Sequence, residues 1–309
     1  MMNPASGRND PGATRSAIEA ALSAAGRSGE FLFARPNELA AVAARAAATA
    51  SSRHSAVVVV GGDGTINAVA QAAHAEGCPM GVVPQGTFNY FARTHRLPTG
   101  AADATAALAR SPAVPVQVGS INDRIFLVNA SIGLYRELLQ DREAFKVRFG
   151  RSRLVALGAA LVTMLGRHPP LRIGIELGGA TRDVTTPTLF VGNNRLQLEQ
   201  VGLDEAPALD RGRIAAVMMR PVGSLAMIWL LCRGVVGSLG DAAALEHFEF
   251  HRMVVTPRLA WGRRRIEVAR DGEVTRMRVP LEIRVSPRPL YLLKPASPNP
   301  AAHVGPSDA

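Results

Sequence analysis

The stretch VVVVGGDGTINAVAQ, residues 57–71, decides the fold of this chain. Four consecutive β-branched residues without polar alternation predict a strand that is buried on both faces, as in a parallel sheet. A glycine-rich turn follows, and a helix is predicted to begin near Thr65 or Ile66 and to end at Glu76. Strand, turn and helix in this order are typical of a layered α/β domain, which binds ligands at the carboxyl ends of its strands.

A second Gly-Thr turn follows the next strand. The apolar run PMGVVP leads into PQGTFNYFAR, residues 84–93, so Gly86 and Thr87 again stand between a strand and a predicted helix. Turns after successive parallel strands lie at the same edge of a sheet. The loop NPASG near the start of the chain is a third polar loop that can lie beside them. Together the three loops predict a nucleotide site.

The glycine turn has the chemistry of a phosphate site. Glycines accept positive φ and let the backbone approach a ligand closely, and the N–H groups of a helix N-terminus attract anions. Asp63 would repel phosphate unless a cation such as Mg²⁺ bridges the two, or unless the residue has a local role in the turn. The turn is neither a Walker A loop, which ends in Lys-Ser/Thr, nor a GxGxxG fingerprint. Taken alone, it also fits a plain strand-to-helix connection.

The pattern of the chain changes near residues 112–115. Many short strand-like runs follow, with helical inserts predicted at 137–165 and 225–238. The predicted fold class is α/β plus β: an N-terminal three-layer α/β domain over 1–115 and a β-sandwich-like domain over 116–285. A strand over 286–295 is predicted to return to the first domain, and the Pro/Ser/Ala-rich residues 296–309 are predicted to be disordered.

Composition favours an anionic partner. The 309 residues carry a formal net charge of +10. A basic surface that only contacts solvent would have such a charge as well. The arginine runs at 142–153 and 263–265 fit either anionic lipid headgroups or such a surface. The apolar stretches 154–165 and 222–231 are shorter than the roughly 20 residues of a membrane span. The two cysteines lack metal-ligand spacing and are expected to be reduced in the cytoplasm.

Several motifs in a fixed order carry a family resemblance. They are NPASGR at 3–8, GGDGTIN at 61–67, GVVPQGTFNYFAR at 81–93, FLVNASIGL at 126–134, VGNN at 191–194 and RDGEV at 270–274. In this order they resemble the diacylglycerol kinase catalytic-domain family, the bacterial lipid kinases, which are related to NAD kinases and sphingosine kinases. The glycine turn alone is shared with NAD kinases.

The resemblance implies ATP in a cleft between two domains and γ-phosphoryl transfer, with Mg²⁺, to a lipid hydroxyl. It implies a general base at Asp271, assisted by Glu273. The residues it assigns to ATP binding are Asn3, Ser6, Gly7, Gly61, Gly62, Asp63, Gly64, Thr65, Asn67, Gly86 and Thr87. The residues alone favour a β-hairpin turn at Asp271-Gly272 over a catalytic role. Such a turn can also hold a catalytic carboxylate.

The chain departs from the family pattern at three places. It begins almost at the Asn-Pro loop, so the first strand of the family is expected to be missing, which would leave two strand edges unpaired. Tyr90 replaces an aspartate in the second loop. At the turn where some relatives hold a structural Mg²⁺, Asp210 is a weak candidate ligand because Arg211 follows it.

The sequence thus predicts first an ATP-dependent lipid kinase acting on diacylglycerol or a related glycerolipid. An NAD kinase-like enzyme and a catalytically silent nucleotide- or lipid-binding regulator are the alternatives. The expected partner is a lipid at a membrane surface, reached by peripheral contact from the cytoplasm, and no nucleic acid partner is expected. The sequence leaves a homodimer open.

Overall fold

The computed structural model describes residues 1–2, 10–133, 170–200, 206–221, 244–259 and 263–295. The chain forms two compact units, one from Met1–Val116 together with the segment from Pro289 onward, and one from Gln117–Arg288. Both contain β-sheet, and the fold is mixed α and β. The helical inserts predicted at 137–165 and 225–238, the arginine run at 142–153 and the predicted tail at 296–309 lie outside the described residues.

The first unit alternates helices and strands. Its elements are α1 (Pro11–Ala24), α2 (Leu39–Ser52), β1 (Val57–Gly61), α3 (Asp63–Glu76), β2 (Met80–Pro84), α4 (Tyr90–Thr94), α5 (Ala101–Arg110), β3 (Ala113–Val116) and, from the C-terminal segment, β16 (Leu290–Leu293). The sheet order is β1-β2-β16-β3. Strand β2 is parallel to β1 and β16, and β16 is antiparallel to β3.

Helices cover β1 because its side chains are apolar on both faces. Val58 and Val60 pack in one cluster with Ile18 of α1 and with Ala104 and Leu108 of α5. Val59 alternates with them and therefore faces the other side of the sheet, and it is fully buried. Helix α3 contacts β1, and α2 packs against α3. The continuous valine run is thus a strand without a solvent-facing side.

The position of the strand that was expected to be missing is occupied in part, by isolated bridges and not by a full strand. Met2 forms parallel bridges with both Phe33 and Val60, so two residues occupy a strand position beside β1. The Met2 N–H donates to the Leu32 carbonyl at 2.8 Å, and the Ala34 N–H donates to the Met2 carbonyl at 3.1 Å. On the other side, the Val60 N–H donates to the Met1 carbonyl at 2.8 Å, so Met1 and Met2 pair with part of the edge of β1 that was expected to be unpaired.

The first two helices begin at other residues than the sequence predicts, which is a helix over 15–25 and a second over 37–50 with Asn37 as its N-cap. Helix α1 begins four residues earlier, at Pro11, because the Asp10 side chain caps the Gly12 and Ala13 N–H groups. Asn37 does not cap α2, since the Glu38 N–H bonds to the Arg35 carbonyl in a turn and the helix begins only at Leu39. Both corrections reflect hydrogen bonds of a few neighbouring residues.

The second unit consists mainly of strands. They are β4 (Gly119–Ile121), β5 (Arg124–Phe126), β6 (Asn129–Gly133), β7 (Leu171–Leu177), β8 (Ala180–Thr186), β9 (Thr188–Gly192), β10 (Ile214–Met219), β11 (Leu245–Phe250), β12 (Arg252–Pro257), β13 (Arg265–Arg270), β14 (Glu273–Arg278) and β15 (Leu281–Val285). Two short helices, Arg195–Gln200 and Ala206–Asp210, lie between β9 and β10.

These strands form two six-stranded sheets around one core. The orders are β11-β10-β9-β6-β13-β14 and β5-β4-β15-β12-β7-β8. Buried side chains of both sheets, such as Ile214 and Ile173, belong to a single apolar cluster. Strand β8 was not predicted, because it is a mostly exposed edge strand whose polar sequence ATRDVTT lacks an apolar face.

Candidate functional site

Helix α3 follows strand β1 after a single residue, Gly62. The helix begins at Asp63, two residues earlier than predicted, and the first helical hydrogen bond runs from the Ile66 N–H to the Gly62 carbonyl. Gly62 is the N-cap residue and has no side chain with which to cap the helix. The N–H groups of the first turn, on Asp63, Gly64 and Thr65, have no acceptor within the helix and favour an anion at this end.

Close approach, and not positive φ, explains the glycines of the two loops. Gly61, Gly62, Gly64 and Gly86 are absent from the residues with positive φ. A Cβ added at Gly86 would lie 2.8 Å from the Gly62 Cα, and one added at Gly62 would lie 3.2 Å from the Gly86 Cα. The two Gly-Thr turns therefore touch backbone to backbone, which the sequence predicted only as proximity at one sheet edge.

Asn89, which sequence reasoning missed, fixes the shape of the second loop. Its Oδ1 accepts the Gly86 N–H at 2.9 Å, and its Nδ2 donates to the Gly86 carbonyl at 2.8 Å. Asn89 has a φ of 49°, a conformation that asparagine tolerates better than most residues. Since the Gly86 N–H is engaged in this way, it is not available to a phosphate group.

Asp63 faces the start of α4. Burial raises the pKa of its carboxyl, and the backbone amides of Asn89, Tyr90 and Phe91 offset part of that rise. Its Oδ1 is buried, and no hydrogen-bond partner for it is found in the described part of the chain. The aspartate thus joins the first loop to the second and leaves one carboxylate oxygen for a further contact.

The remaining predicted residues of this unit take several positions. The Thr65 side chain packs on Gly61, where a Cβ would lie 2.8 Å from the Thr65 Cβ. Asn67 is buried on α3, and Thr87 is exposed at the loop tip. Tyr90, which replaces an aspartate, stacks on Phe88 with ring centroids 5.7 Å apart. Asn3, Ser6 and Gly7 lie outside the described residues.

Asp271 occupies the turn of the β13–β14 hairpin, as the Asp-Gly pair predicted. Asp271 and Gly272 have φ values of 47° and 86°, and Arg270 pairs with Glu273 across the turn. The Asp271 carboxylate accepts three backbone N–H groups: Leu127 at 2.8 Å on Oδ2, and Val128 at 2.8 Å and Asn129 at 3.0 Å on Oδ1. This anchors the hairpin to the segment between β5 and β6.

These hydrogen bonds bear on the base role predicted for Asp271. A carboxylate has about four acceptor positions, and backbone N–H groups occupy three of those of Asp271. Burial raises the pKa of Asp271, while the three amides and the Arg270 guanidinium offset part of the rise. Glu273, two residues further, is exposed at the start of β14. The structure therefore shows a structural role for Asp271, and its role as a base stays a prediction.

The structure gives no support to Asp210 as a metal ligand. Its Oδ2 pairs with Arg195 at 2.6 Å, and the neighbouring Arg211 pairs with Glu249 at 2.8 Å. In the ranges that the structure describes, no three His, Cys, Asp or Glu side chains are grouped to hold a metal ion. Nor does any helix in those ranges combine the length and apolarity that a membrane crossing requires.

Both glycine loops lie in a region that is similar to a known protein domain. Residues 1–121 match the diacylglycerol kinase catalytic domain. A diacylglycerol kinase of Staphylococcus carnosus is 37% identical over 84 residues, covering 26% of this chain and 28% of that protein. A Staphylococcus epidermidis protein, assigned by its name to the lipid kinases, is 23% identical over 267 residues, covering 81% of this chain and 80% of that protein.

A solved structure extends the likeness to the whole fold. A Bacillus anthracis protein named as a diacylglycerol kinase superposes with a TM-score of 0.70 at 21% identity, covering 97% of this chain and 96% of that one. The proteins that this chain resembles in sequence are named as lipid kinases, a class of phosphotransferases. The match to the diacylglycerol kinase catalytic domain ends at residue 121, so for the rest of the chain the likeness rests on the full-length relative and the solved structure.

Proposed function

We propose that the chain is an ATP-dependent lipid kinase that transfers the γ-phosphoryl group to the hydroxyl of diacylglycerol or a related glycerolipid. The observation that carries the proposal is the contact of Gly62 with Gly86 at the N-terminus of α3. Two glycine loops in contact at a helix N-terminus favour phosphate groups, and both loops lie within the region that matches the kinase domain.

The first unit offers groups that suit the phosphates of ATP. The first-turn N–H groups of α3 and the exposed Thr87 hydroxyl are donors, and the chain has a net positive charge. We include Mg²⁺ as the counter-ion of ATP, which would supply charge neutralisation for the transferred phosphoryl group. Asp63 is the residue that would hold it, since its Oδ1 is buried and has no hydrogen-bond partner in the described ranges.

The second unit offers Asp271 for the acceptor alcohol. An alcohol is a poor nucleophile until a positioned base accepts its proton. Asp271 suits this role because its raised pKa makes the carboxylate a stronger base than an ordinary aspartate. Glu273 is proposed to assist it.

The test is transfer of labelled phosphate from ATP by the purified protein. Diacylglycerol, phosphatidylglycerol, a long-chain base and NAD are offered separately as acceptors, with magnesium present. We expect a labelled glycerolipid. Labelled NADP without any labelled lipid would contradict the proposal and support an NAD kinase-like enzyme.

A catalytically silent nucleotide-binding regulator is the second candidate. The three backbone hydrogen bonds of Asp271 favour the regulator, because they give the buried carboxylate a structural role that needs no catalysis. The same assay distinguishes the two: calorimetric binding of ATP without transfer to any acceptor would support the regulator. If the protein is a lipid kinase, we propose that it works from the cytoplasm by peripheral contact with a membrane.

A further inference from the structure

Four arginines gather at the end of the β13–β14 hairpin opposite to Asp271. Arg265 and Arg278 are directly opposed across the two strands, and both are exposed. Arg263 and Arg264 precede β13 and are exposed as well. We call Arg263, Arg264, Arg265 and Arg278 the arginine patch.

The patch is electrostatically unbalanced. Like charges directly opposite each other in an antiparallel pair destabilise it. In the described part of the molecule, no carboxylate lies within ion-pair distance of a patch arginine. Glu267, in the next cross-strand row on the same face, is engaged by Arg276 at 3.1 Å.

A second carboxylate lies near the patch and does not neutralise it. The Asn122 side-chain amide donates to the Arg278 carbonyl at 3.0 Å, and Asp123 is the next residue in that turn. Because the patch has four arginines and this one aspartate lies near it, the net charge of the patch remains positive.

Two exposed arginines of the other six-stranded sheet form ion pairs. Arg252 bonds to Glu282 at 2.7 Å, and Arg258 bonds to Asp183 at 3.0 Å. The patch differs from these positions in having four arginines and no ion pair, so it fits an external anion. Strand β14 is the last strand of its sheet among the described strands.

We propose that the arginine patch docks the protein on an anionic phospholipid membrane. The proposal rests on the proposed function, because a kinase of glycerolipids has to reach a substrate in a bilayer. Guanidinium groups bind phosphate through paired hydrogen bonds, and phospholipid headgroups present phosphates as a continuous anionic surface. The like-charge opposition of Arg265 and Arg278 is relieved when headgroup phosphates neutralise both side chains.

The experiment is co-sedimentation with vesicles of phosphatidylcholine, with and without phosphatidylglycerol. The test variant carries Arg265→Gln and Arg278→Gln. The matched control carries Arg252→Gln and Arg258→Gln, which removes the same charge from two ion-paired positions. A further variant, Arg263→Gln with Arg264→Gln, changes the patch outside the strands and preserves the hairpin.

We expect wild-type binding only to the vesicles with phosphatidylglycerol, weakening as salt is added. Each basic residue near an anionic leaflet contributes about fivefold in partitioning, so the test variant should bind about 25-fold more weakly. The control should bind as wild type does. The melting temperature of the test variant should not fall, because the substitution removes a like-charge pair.

Equal binding by the test variant and wild type would overturn the proposal, and so would an equal loss in the control. Loss of binding to duplex DNA without loss of vesicle binding would also overturn it, in favour of a nucleic acid surface. Transfer from ATP to a detergent-dispersed lipid tests the proposed function separately, since that assay needs no membrane. Absence of transfer with intact vesicle binding would contradict the function and leave the docking surface standing.

Discussion

Asp271 has three roles: it forms the hairpin turn, it anchors the hairpin through its carboxylate, and it is the proposed base. Its positive φ is set by the hairpin, and its carboxylate is held by the amides of residues 127–129. Substitution therefore changes stability as well as chemistry. An activity measurement alone would not separate the two roles.

We expect Asp271→Asn to lower the free energy of unfolding by about 3 kcal/mol, since hydrogen bonds to a charged group are lost and at least one buried N–H keeps no acceptor. Asparagine tolerates the left-handed conformation, so backbone strain contributes little. Urea denaturation measures the change. The control is Glu273→Gln, at an exposed carboxylate of the same hairpin, which should leave stability unchanged. Equal stability of Asp271→Asn and wild type would contradict the anchoring role.

His95 gives the first unit a pH-dependent stability. Burial, with a smaller effect of the Lys294 ammonium, lowers the pKa of His95 to about 4 from its usual 6.5. The folded state therefore binds fewer protons than the unfolded state between these values, and stability is lost as the pH falls from 6.5 towards 4. The contribution is up to about 3 kcal/mol, at about 1.4 kcal/mol for each unit of pKa.

We expect His95→Gln to flatten the pH dependence of the unfolding free energy between pH 6.5 and 4. Urea denaturation of variant and wild type at matched pH values isolates this effect, because the carboxylates that titrate in the same range are common to both. His251→Gln, at an exposed histidine, is the control and should keep the wild-type slope. An unchanged slope in His95→Gln would show that His95 is accessible to protons in the folded state.

At the scale of elements, the contact between the two glycine loops determines the candidate nucleotide site. Helix α3 and the loop after β2 approach until Gly62 and Gly86 touch, and the Gln85 N–H donates to the Gly61 carbonyl at 2.8 Å. Strands β1 and β2 therefore end at the same edge of the sheet, and the N-terminus of α3 lies beside the loop that follows β2. A side chain at either glycine would separate the loops.

We expect Gly86→Ala to destabilise the protein by about 1–3 kcal/mol and to weaken ATP binding, because the new methyl group would lie 2.7 Å from the Asn89 Oδ1 and 2.8 Å from the Gly62 Cα. Thermal melting and calorimetric titration with ATP measure the two effects. Gly174→Ala on β7 is the control, where the methyl group meets its nearest neighbour at an ordinary 3.4 Å. Wild-type ATP affinity in Gly86→Ala would exclude the loop contact from the nucleotide site.

The elements differ in how far their sequences determine them. Strand β1 is predictable because its valine run allows only a doubly covered strand, and the β13–β14 hairpin because Asp-Gly favours the two positive φ values of its turn. Strand β8 is not predictable, since an exposed edge strand needs no apolar pattern. The start of α3 was misplaced because a glycine N-cap gives no side-chain signal.

At the scale of the whole molecule, the chain enters the second unit after Val116 and returns to the first after Arg288. The returning strand β16 lies between β2 and β3, inside the sheet, with Leu290 and Leu292 almost completely buried. The first unit therefore needs residues that are distant in sequence, and its folding depends on the end of the described chain.

We expect a chain that ends after Arg288 to lose the cooperative unfolding transition of the first unit, since β2 and β3 would each lose a partner strand. The control is a chain that ends at Pro295, which keeps every described strand. Hydrogen exchange resolved by segment measures protection of β1 and β2 in both. Full protection of β1 and β2 in the shorter chain would show that β16 is dispensable.

The sequence by itself determined the strand–turn–helix unit at residues 57–71, the second Gly-Thr turn and the hairpin at Asp271. Each of these rests on backbone preferences within a few residues, which the chain carries locally. Only the tertiary structure decided that Gly62 touches Gly86 and that three amides hold the Asp271 carboxylate. These contacts join residues whose separation in the chain leaves no local pattern, because they arise when strand ends and loops are packed together.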